Sequence, residues 1–242
     1  MKVKRFTFGP FETNCYVVSD EQQVLLIDPA CYTEYERDML KAYISNFKSQ
    51  ISNFKLSIIA THGHLDHLWG AKWATEQWGV PVLMHEADIP MAKAMQQQYE
   101  LFGVRRQAEE FMIERIQNTG VANASLQGTG PLPTYFEAPL PQNMPLQRTF
   151  CEGGEQLSII NCQLSIIHTP GHTPGSICLY WPQEKVLLSG DTLFQMGYGR
   201  TDLPGGNFGQ LIDSLERLFT LPVDTMVYPG HGDFTTIGAE KR

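Results

Sequence analysis

The segment His62-Gly63-His64-Leu65-Asp66-His67 places four potential metal ligands within six residues, one residue (Thr61) after the apolar run Ile58-Ile59-Ala60. Imidazole and carboxylate are the side chains that hold zinc or iron in hydrolytic sites. His62 and His64 lie two apart, so an extended backbone points both rings to one side. Asp66 and His67 follow where a helix can begin, with Asp66 placed to act as its N-cap. Three of the chain's seven histidines fall in this one loop, a density that a polar loop with chance histidines does not produce.

Three later positions repeat one pattern, a polar ligand just past an apolar strand. His168-Thr169-Pro170-Gly171-His172 puts two imidazoles in a Pro/Gly-rich turn, whose restricted backbone lowers the entropy lost when a ligand is fixed. Asp191 follows Val186-Leu187-Leu188-Ser189-Gly190, and His231 follows Tyr228-Pro229-Gly230. Any one of these alone is more often a turn feature. Their common place at strand ends puts them on one rim of the fold.

The elements that must position these residues alternate between strand and helix. Residues 3–8, 15–18 and 24–28 read as three short strands separated by turn residues, an antiparallel start. Residues 32–47 read as an amphipathic helix with Tyr35, Met39, Tyr43 and Phe47 on its apolar face. The stretch 44–48 recurs as 51–55, and seven residues are nearly two helical turns, so the second copy is expected to prolong that helix. Residues 56–60 form a strand leading into the histidine loop, 68–78 a helix and 80–85 a further strand. Residues 87–102 and 107–117 read as helices, 120–145 as a long irregular connection, and 87–150 together as an insertion or lid over the core. Strands follow at 157–160, 163–168, 176–181, 186–189 and 225–228, with a helix at 207–219. Such a pattern predicts a single α/β domain over residues 1–242, two sheets covered by helices.

Composition narrows the function classes. Hydrophobic residues make up 42% and charged residues 18% of 242, enough for a substantial buried core. The net charge of −8, with no basic patch, argues against a nucleic-acid partner. No apolar run is long enough to span a membrane, and the N-terminus lacks the apolar core of a signal peptide. Five cysteines without CxxC spacing fit reduced, buried thiols. The expected compartment is the cytoplasm, and the expected partner is a small-molecule substrate.

The series His62-x-His64-x-Asp66-His67, then His172, Asp191 and His231, resembles the metallo-β-lactamase superfamily, and the resemblance covers nearly the whole chain. It implies a four-layer αββα sandwich with two divalent metal ions at one edge, most often zinc, with iron or manganese as the other candidates. Carried over by position, His62, His64 and His172 hold one metal. Asp66, His67 and His231 hold the second, and Asp191 bridges them. Within the superfamily, Gly190-Asp191-Thr192-Leu193-Phe194 followed by Gly199-Arg200 is similar to the glyoxalase II (hydroxyacylglutathione hydrolase) branch, which hydrolyses thioesters such as S-lactoylglutathione. The resemblance implies a hydroxide generated between two metals, with Asp66 orienting it. Arg200 stands where that branch holds the glutathione carboxylate, whereas Asp202 departs from an aromatic position. Glyoxalase II also carries a C-terminal helical domain that grips glutathione. Here eleven residues follow His231, and the 87–150 segment is the expected substitute. His168 has no ligand counterpart and is expected to orient its turn, and His85 to be structural. The alternative is a single-iron persulfide dioxygenase using His62, His172 and Asp191. A lactonase or β-lactamase of the same fold is a variant of the hydrolase reading.

Overall fold

Alternation at period two sorts the side chains of each inner strand between two cores. In β2 (Thr13–Ser19), Tyr16 and Val18 face one way while Cys15 and Val17 face the other. β3 (Gln23–Ile27) repeats this, with Leu25 and Ile27 opposed to Val24 and Leu26. Both faces are apolar because both are covered, which is the condition for a sheet inside a layered fold. The computed structural model describes residues 1–20, 23–50, 54–116, 148–151, 154–157 and 164–241.

Two sheets result. The first has the order β1 (Lys2–Phe8), β2, β3, β4 (Lys55–Ile59), β5 (Val82–His85), β6 (Ile113–Ile116). It opens antiparallel and is parallel from β3 onwards. The second comprises β7 (Arg148–Cys151), β8 (Gly154–Leu157), β9 (Leu164–His168), β10 (Ile177–Trp181), β11 (Val186–Gly190), β14 (Met226–Pro229) and β15 (Thr235–Thr236). Only its β11–β14 pair is parallel. A hairpin of β12 (Leu193–Phe194) and β13 (Gly197–Tyr198) stands apart.

Tyr16, Val18, Leu25, Ile27 and Ile59 meet Leu164, Ile177, Leu179, Trp181 and Leu188 between the sheets. Outside the first sheet pack α1 (Glu34–Gln50), α3 (Ala71–Trp78) and α5 (Met95–Leu101), through Leu40, Ile44, Ala74 and Tyr99. Outside the second, α6 (Phe208–Leu218) packs Leu211, Leu215 and Leu218 against Cys178, Tyr180, Leu187 and Val227. The layers are therefore αββα, as the sequence led us to expect. Each fully buried Leu or Ile contributes roughly 1.5–3 kcal/mol, so the three cores together are the main source of cohesion. No helix among the described residues is long and apolar enough to cross a membrane.

Several elements differ from expectation. The helix expected at 107–117 is instead strand β6, parallel to β5 from Val82↔Ile113 to His85↔Ile116. Ile113 and Ile116 suit a helical face, but the open edge of β5 offers a full ladder, and tertiary pairing overrides local preference. The helix expected at 87–102 is divided into a 3₁₀ turn (Glu86–Asp88), α4 (Ile89–Lys93) and α5. The helix expected at 68–78 starts earlier, as α2 (Leu65–Leu68), and restarts at Ala71. The break falls where Gly70 N donates to Pro29 O at 2.7 Å and leaves no room there for a Cβ. Residues 51–53 of the second copy of the duplication, expected to prolong α1, lie outside the described residues, and its last residue, Lys55, opens β4. Tyr35 is 73% exposed; Leu40 and Ile44 face the core in its place. The irregular connection expected at 120–145 lies outside the described residues, as does the strand expected at 157–160 except for Leu157, which ends β8.

Candidate metal centre

The candidate ligands sit at the C-terminal ends of strands from both sheets. β4 runs parallel between β3 and β5 and releases the chain at Ala60, whose N–H bonds Leu83 O at 2.9 Å. Thr61 is then caught by Asp28 at the end of β3, which accepts from Thr61 N at 2.7 Å and Thr61 Oγ1 at 2.8 Å. His62 and His64 follow, their rings 4.9 Å apart. His64, extended at φ −73° and ψ 149°, occupies the N-cap position of α2. Asp66 lies inside α2 and does not cap it, because its carboxylate is engaged by Thr13 Oγ1 at 2.7 Å and faces His231 Nε2 at 3.2 Å.

In the second sheet, β9 leads into the turn that carries His172. Gly171 there has φ 137°, a conformation open to glycine, and a Cβ would lie 2.3 Å from Leu211 N in α6. β11 and β14 are parallel neighbours, so Asp191 and His231 emerge side by side. Gly230 lets them approach, since a Cβ on it would stand 2.1 Å from Asp191 Oδ1. The two sheets are tied at this rim by Ile177 N to Thr61 O (2.9 Å), Asn14 N to Gly230 O (2.7 Å) and Tyr16 Oη to Pro229 O (2.6 Å).

The structure brings all seven sequence-predicted ligands together. His62, His64 and His172 form one group, and Asp66, His67 and His231 a second. Asp191 forms a third with His62 and His67, and within each group one donor atom per residue lies within 4.8 Å of the others. Asp191 reaches His67 Nε2 at 3.4 Å through Oδ1, and His172 Nε2 and His231 Nε2 at 3.5 Å through Oδ2. It thus stands between the first two groups.

Ring orientation is set from outside the cluster. His67 Nδ1 donates to Asp28 Oδ2 at 2.9 Å, His172 Nδ1 to Arg200 O at 2.7 Å and His231 Nδ1 to Phe11 O at 3.0 Å. His62 Nδ1 meets Thr61 Oγ1 at 3.0 Å. With Nδ1 so engaged, each Nε2 lone pair faces the interior, the arrangement that partners of ligating histidines impose. His64 is reversed, its Nδ1 facing His172 Nε2 at 2.9 Å.

Three buried interior atoms, His62 Nε2, His67 Nε2 and Asp191 Oδ1, have no hydrogen-bond partner among the described residues. Such atoms cost about 1–3 kcal/mol each when left unsatisfied, and a divalent cation satisfies them all. The electrostatics agree. Burial, reinforced by the neighbouring histidines, pushes His62 well down, and burial and His172 lower His64 to about 3, so both offer neutral donors. Burial opposes charge on Asp191, but His67 and the other imidazoles outweigh it and hold the carboxyl at about 2. Burial likewise opposes charge on His67, yet Asp66, Asp191 and Asp28 raise its pKa well above the ordinary value. Positive charge is thus favoured where the carboxylates converge. The residues fit divalent metal.

Arg200, expected to meet a substrate carboxylate, has two contacts at the site. Its guanidinium forks onto Asp202, Nε to Oδ1 at 2.7 Å and Nη2 to Oδ2 at 2.6 Å, and it is the main-chain carbonyl that reaches the cluster. His168 Nε2 donates to Pro174 O at 2.8 Å across the turn, and its ring stacks on His85 at 4.2 Å. Asp28, Thr13 and Thr61 were not foreseen as site residues. For Asp28 a signal existed: it is a carboxylate just past an apolar strand, the same pattern that singled out Asp191.

A four-layer αββα sandwich with a His/Asp cluster on one rim able to hold divalent metal defines the class. The chain belongs to the metallo-beta-lactamase superfamily, whose family model matches residues 8–231. It is 32% identical to the hydroxyacylglutathione hydrolase GloC of Haemophilus influenzae, over 100% of this chain and 96% of that one. The crystal structure of TTHA1623 in a di-iron-bound form is 30% identical, with TM-score 0.67 over 99% of this chain and 97% of that one. The BLEG-1 B3 metallo-beta-lactamase is 28% identical, with TM-score 0.65 over 99% and 96%. Membership supports a metal-dependent hydrolase.

Proposed function

We propose that this chain hydrolyses a thioester or related ester at a dinuclear metal site, as a glyoxalase II-like enzyme. The observation that carries the reading is the second donor group: Asp66, His67 and His231 converge beside a full three-histidine group, with Asp191 between them. A single-iron oxygenase reading needs only His62, His172 and Asp191 and leaves that second group without a role. The similarity to GloC supports the thioester class. His62, His64 and His172 would hold one divalent ion and Asp66, His67 and His231 the other, zinc or iron by the donor set, and when bound the ions would activate a water and polarise the acyl carbonyl.

The chain's own residues do the rest. Thr13 fixes Asp66 through Oδ2, leaving acceptor capacity on the carboxylate to orient the attacking water, whose proton passes to solvent. The water oxygen bonds the acyl carbon, the carbon–sulfur bond breaks, and the thiol leaves as thiolate. A thiol pKa near 8.5 lets it leave without a general acid. No protein nucleophile is required. Among the described cysteines, burial raises Cys31 to about 12 and Cys178 to about 11, and pushes Cys15 well up, so none is a thiolate. Arg200 serves as the substrate-carboxylate contact by exchanging Asp202 for the substrate. A panel of S-lactoylglutathione, simpler thioesters, lactones and β-lactams tests the reading. Turnover highest on thioesters, and lost in Asp66→Ala, is expected. Wild-type turnover by Asp66→Ala, or turnover confined to β-lactams, contradicts it.

A further inference from the structure

The segment after β5, expected to lie over the core, reaches into the candidate site from behind. Asp88 is 0% exposed. Its Oδ2 accepts from Gly63 N at 2.8 Å and from Thr173 Oγ1 at 2.7 Å, and its Oδ1 accepts from Gly175 N at 2.6 Å. Gly63 immediately precedes His64, and Thr173 immediately follows His172. One carboxylate therefore joins a loop of the first sheet to a turn of the second, at the neighbours of two candidate ligands. The approach is close: a Cβ on Gly63 would stand 2.9 Å from Asp88 O, and one on Gly175 2.7 Å from Asp88 Cγ.

Gln98 in α5 grips the same loop. Its Oε1 accepts from Leu65 N at 3.0 Å, and its Nε2 donates to Gly63 O at 3.0 Å and Met91 O at 2.9 Å. The peptide groups on both sides of His64 are thus held. His64 is also the ring whose Nδ1 points inward, at 2.9 Å from His172 Nε2. The other four imidazoles are oriented through Nδ1 by Thr61, Asp28, Arg200 O and Phe11 O. Asp88 and Gln98 brace the backbones that carry these two nitrogens from different sheets.

We propose that Asp88 and Gln98 are positioning residues that set His64 against His172 and so fix the affinity of the three-histidine subsite for its metal. Glu86–Leu101 is then a brace of the centre and not a cover over it. The inference rests on the reading of the cluster as a metal centre, and the experiment separates the two.

Metal-free wild-type, Asp88→Asn, Thr173→Val, Thr173→Ser and Gln98→Leu proteins are titrated with zinc against a competing chelator, with His64→Ala marking which equivalent belongs to the three-histidine subsite. Thermal melts of the metal-free proteins report folding. The wild type is expected to take up two equivalents. Asp88→Asn, Thr173→Val and Gln98→Leu are expected to weaken the equivalent marked by His64→Ala by about 10–100-fold, the usual effect of losing a support behind a ligand. Thr173→Ser, which keeps the hydroxyl, should bind both equivalents as the wild type does. If Asp88→Asn does not fold, Thr173→Val and Gln98→Leu decide. Wild-type affinity for both equivalents in these variants, whatever their melting temperatures, overturns the proposal. A wild-type protein that binds no divalent ion overturns the metal reading beneath it.

Discussion

The two halves of the donor cluster are held by different parts of the chain and by different chemistry. His67, Asp66 and His231 are fixed from the N-terminal strands: Asp28 at the end of β3, Thr13 at the start of β2 and Phe11 O just before it. Those contacts follow from strand register and reach the ligand side chains themselves. His64 is held through the backbone on either side of it, and His172 through Arg200 O and the Thr173 hydroxyl beside it, with Asp88 and Gln98 supplied by a segment of short helices. A sheet edge can present a ligand partner directly. A loop ligand needs its backbone braced from outside, and the brace is drawn from wherever the chain next passes.

The difference can be probed one side at a time, beginning with the largest effect. Asp66→Ala removes a member of the second group and the acceptor for the attacking water. A loss of about 10²-fold or more in turnover is expected, the scale for misplacing a reacting group, with near-normal far-ultraviolet circular dichroism. Asp28→Ala leaves His67 Nδ1, Thr61 N and Thr61 Oγ1 without their acceptor. It should lower metal affinity by about 10–100-fold and stability by about 3–5 kcal/mol, the cost of breaking a buried pair. Zinc titration should place its larger effect on the equivalent that His231→Ala weakens, because His67 loses its partner directly while His62 is reached only through Thr61. An equal effect on both equivalents would merge the two halves into one unit.

Gly171→Ala drives a Cβ against Leu211 in α6. A destabilisation of about 1–3 kcal/mol is expected from overpacking, readable by urea unfolding, with the three-histidine equivalent weakened alongside. The smallest effect belongs to Asp202→Ala. It frees the Arg200 fork on an exposed surface, so both metal affinities should stay as in the wild type. The KM for an anionic thioester should fall a few-fold, as expected for an exposed ion pair of modest strength. An unchanged KM would remove Arg200 from substrate binding.

The same contrast explains what the sequence made legible. The ligands could be read because four of them crowd into residues 62–67 and the others share one position relative to apolar strands. The layered order was legible because short continuous apolar runs, buried on both faces, alternate with helical segments along the chain. The supports were not. Asp88 and Gln98 are ordinary polar residues in a stretch that reads as an insertion, and the partners that tie them to the site, Gly63, Leu65, Thr173 and Gly175, lie 25 or more residues away. Ile113–Ile116 was misread because four residues with apolar ends suit either period, and only the edge of β5 decides between them.

The number of metal ions per chain, followed as activity returns to chelated protein, tests the central claim most directly. Two divalent ions per chain at full activity, with thioester hydrolysis restored as the second equivalent binds, is the result this account predicts. One iron per chain at full activity, with oxygen consumed during turnover, would contradict it.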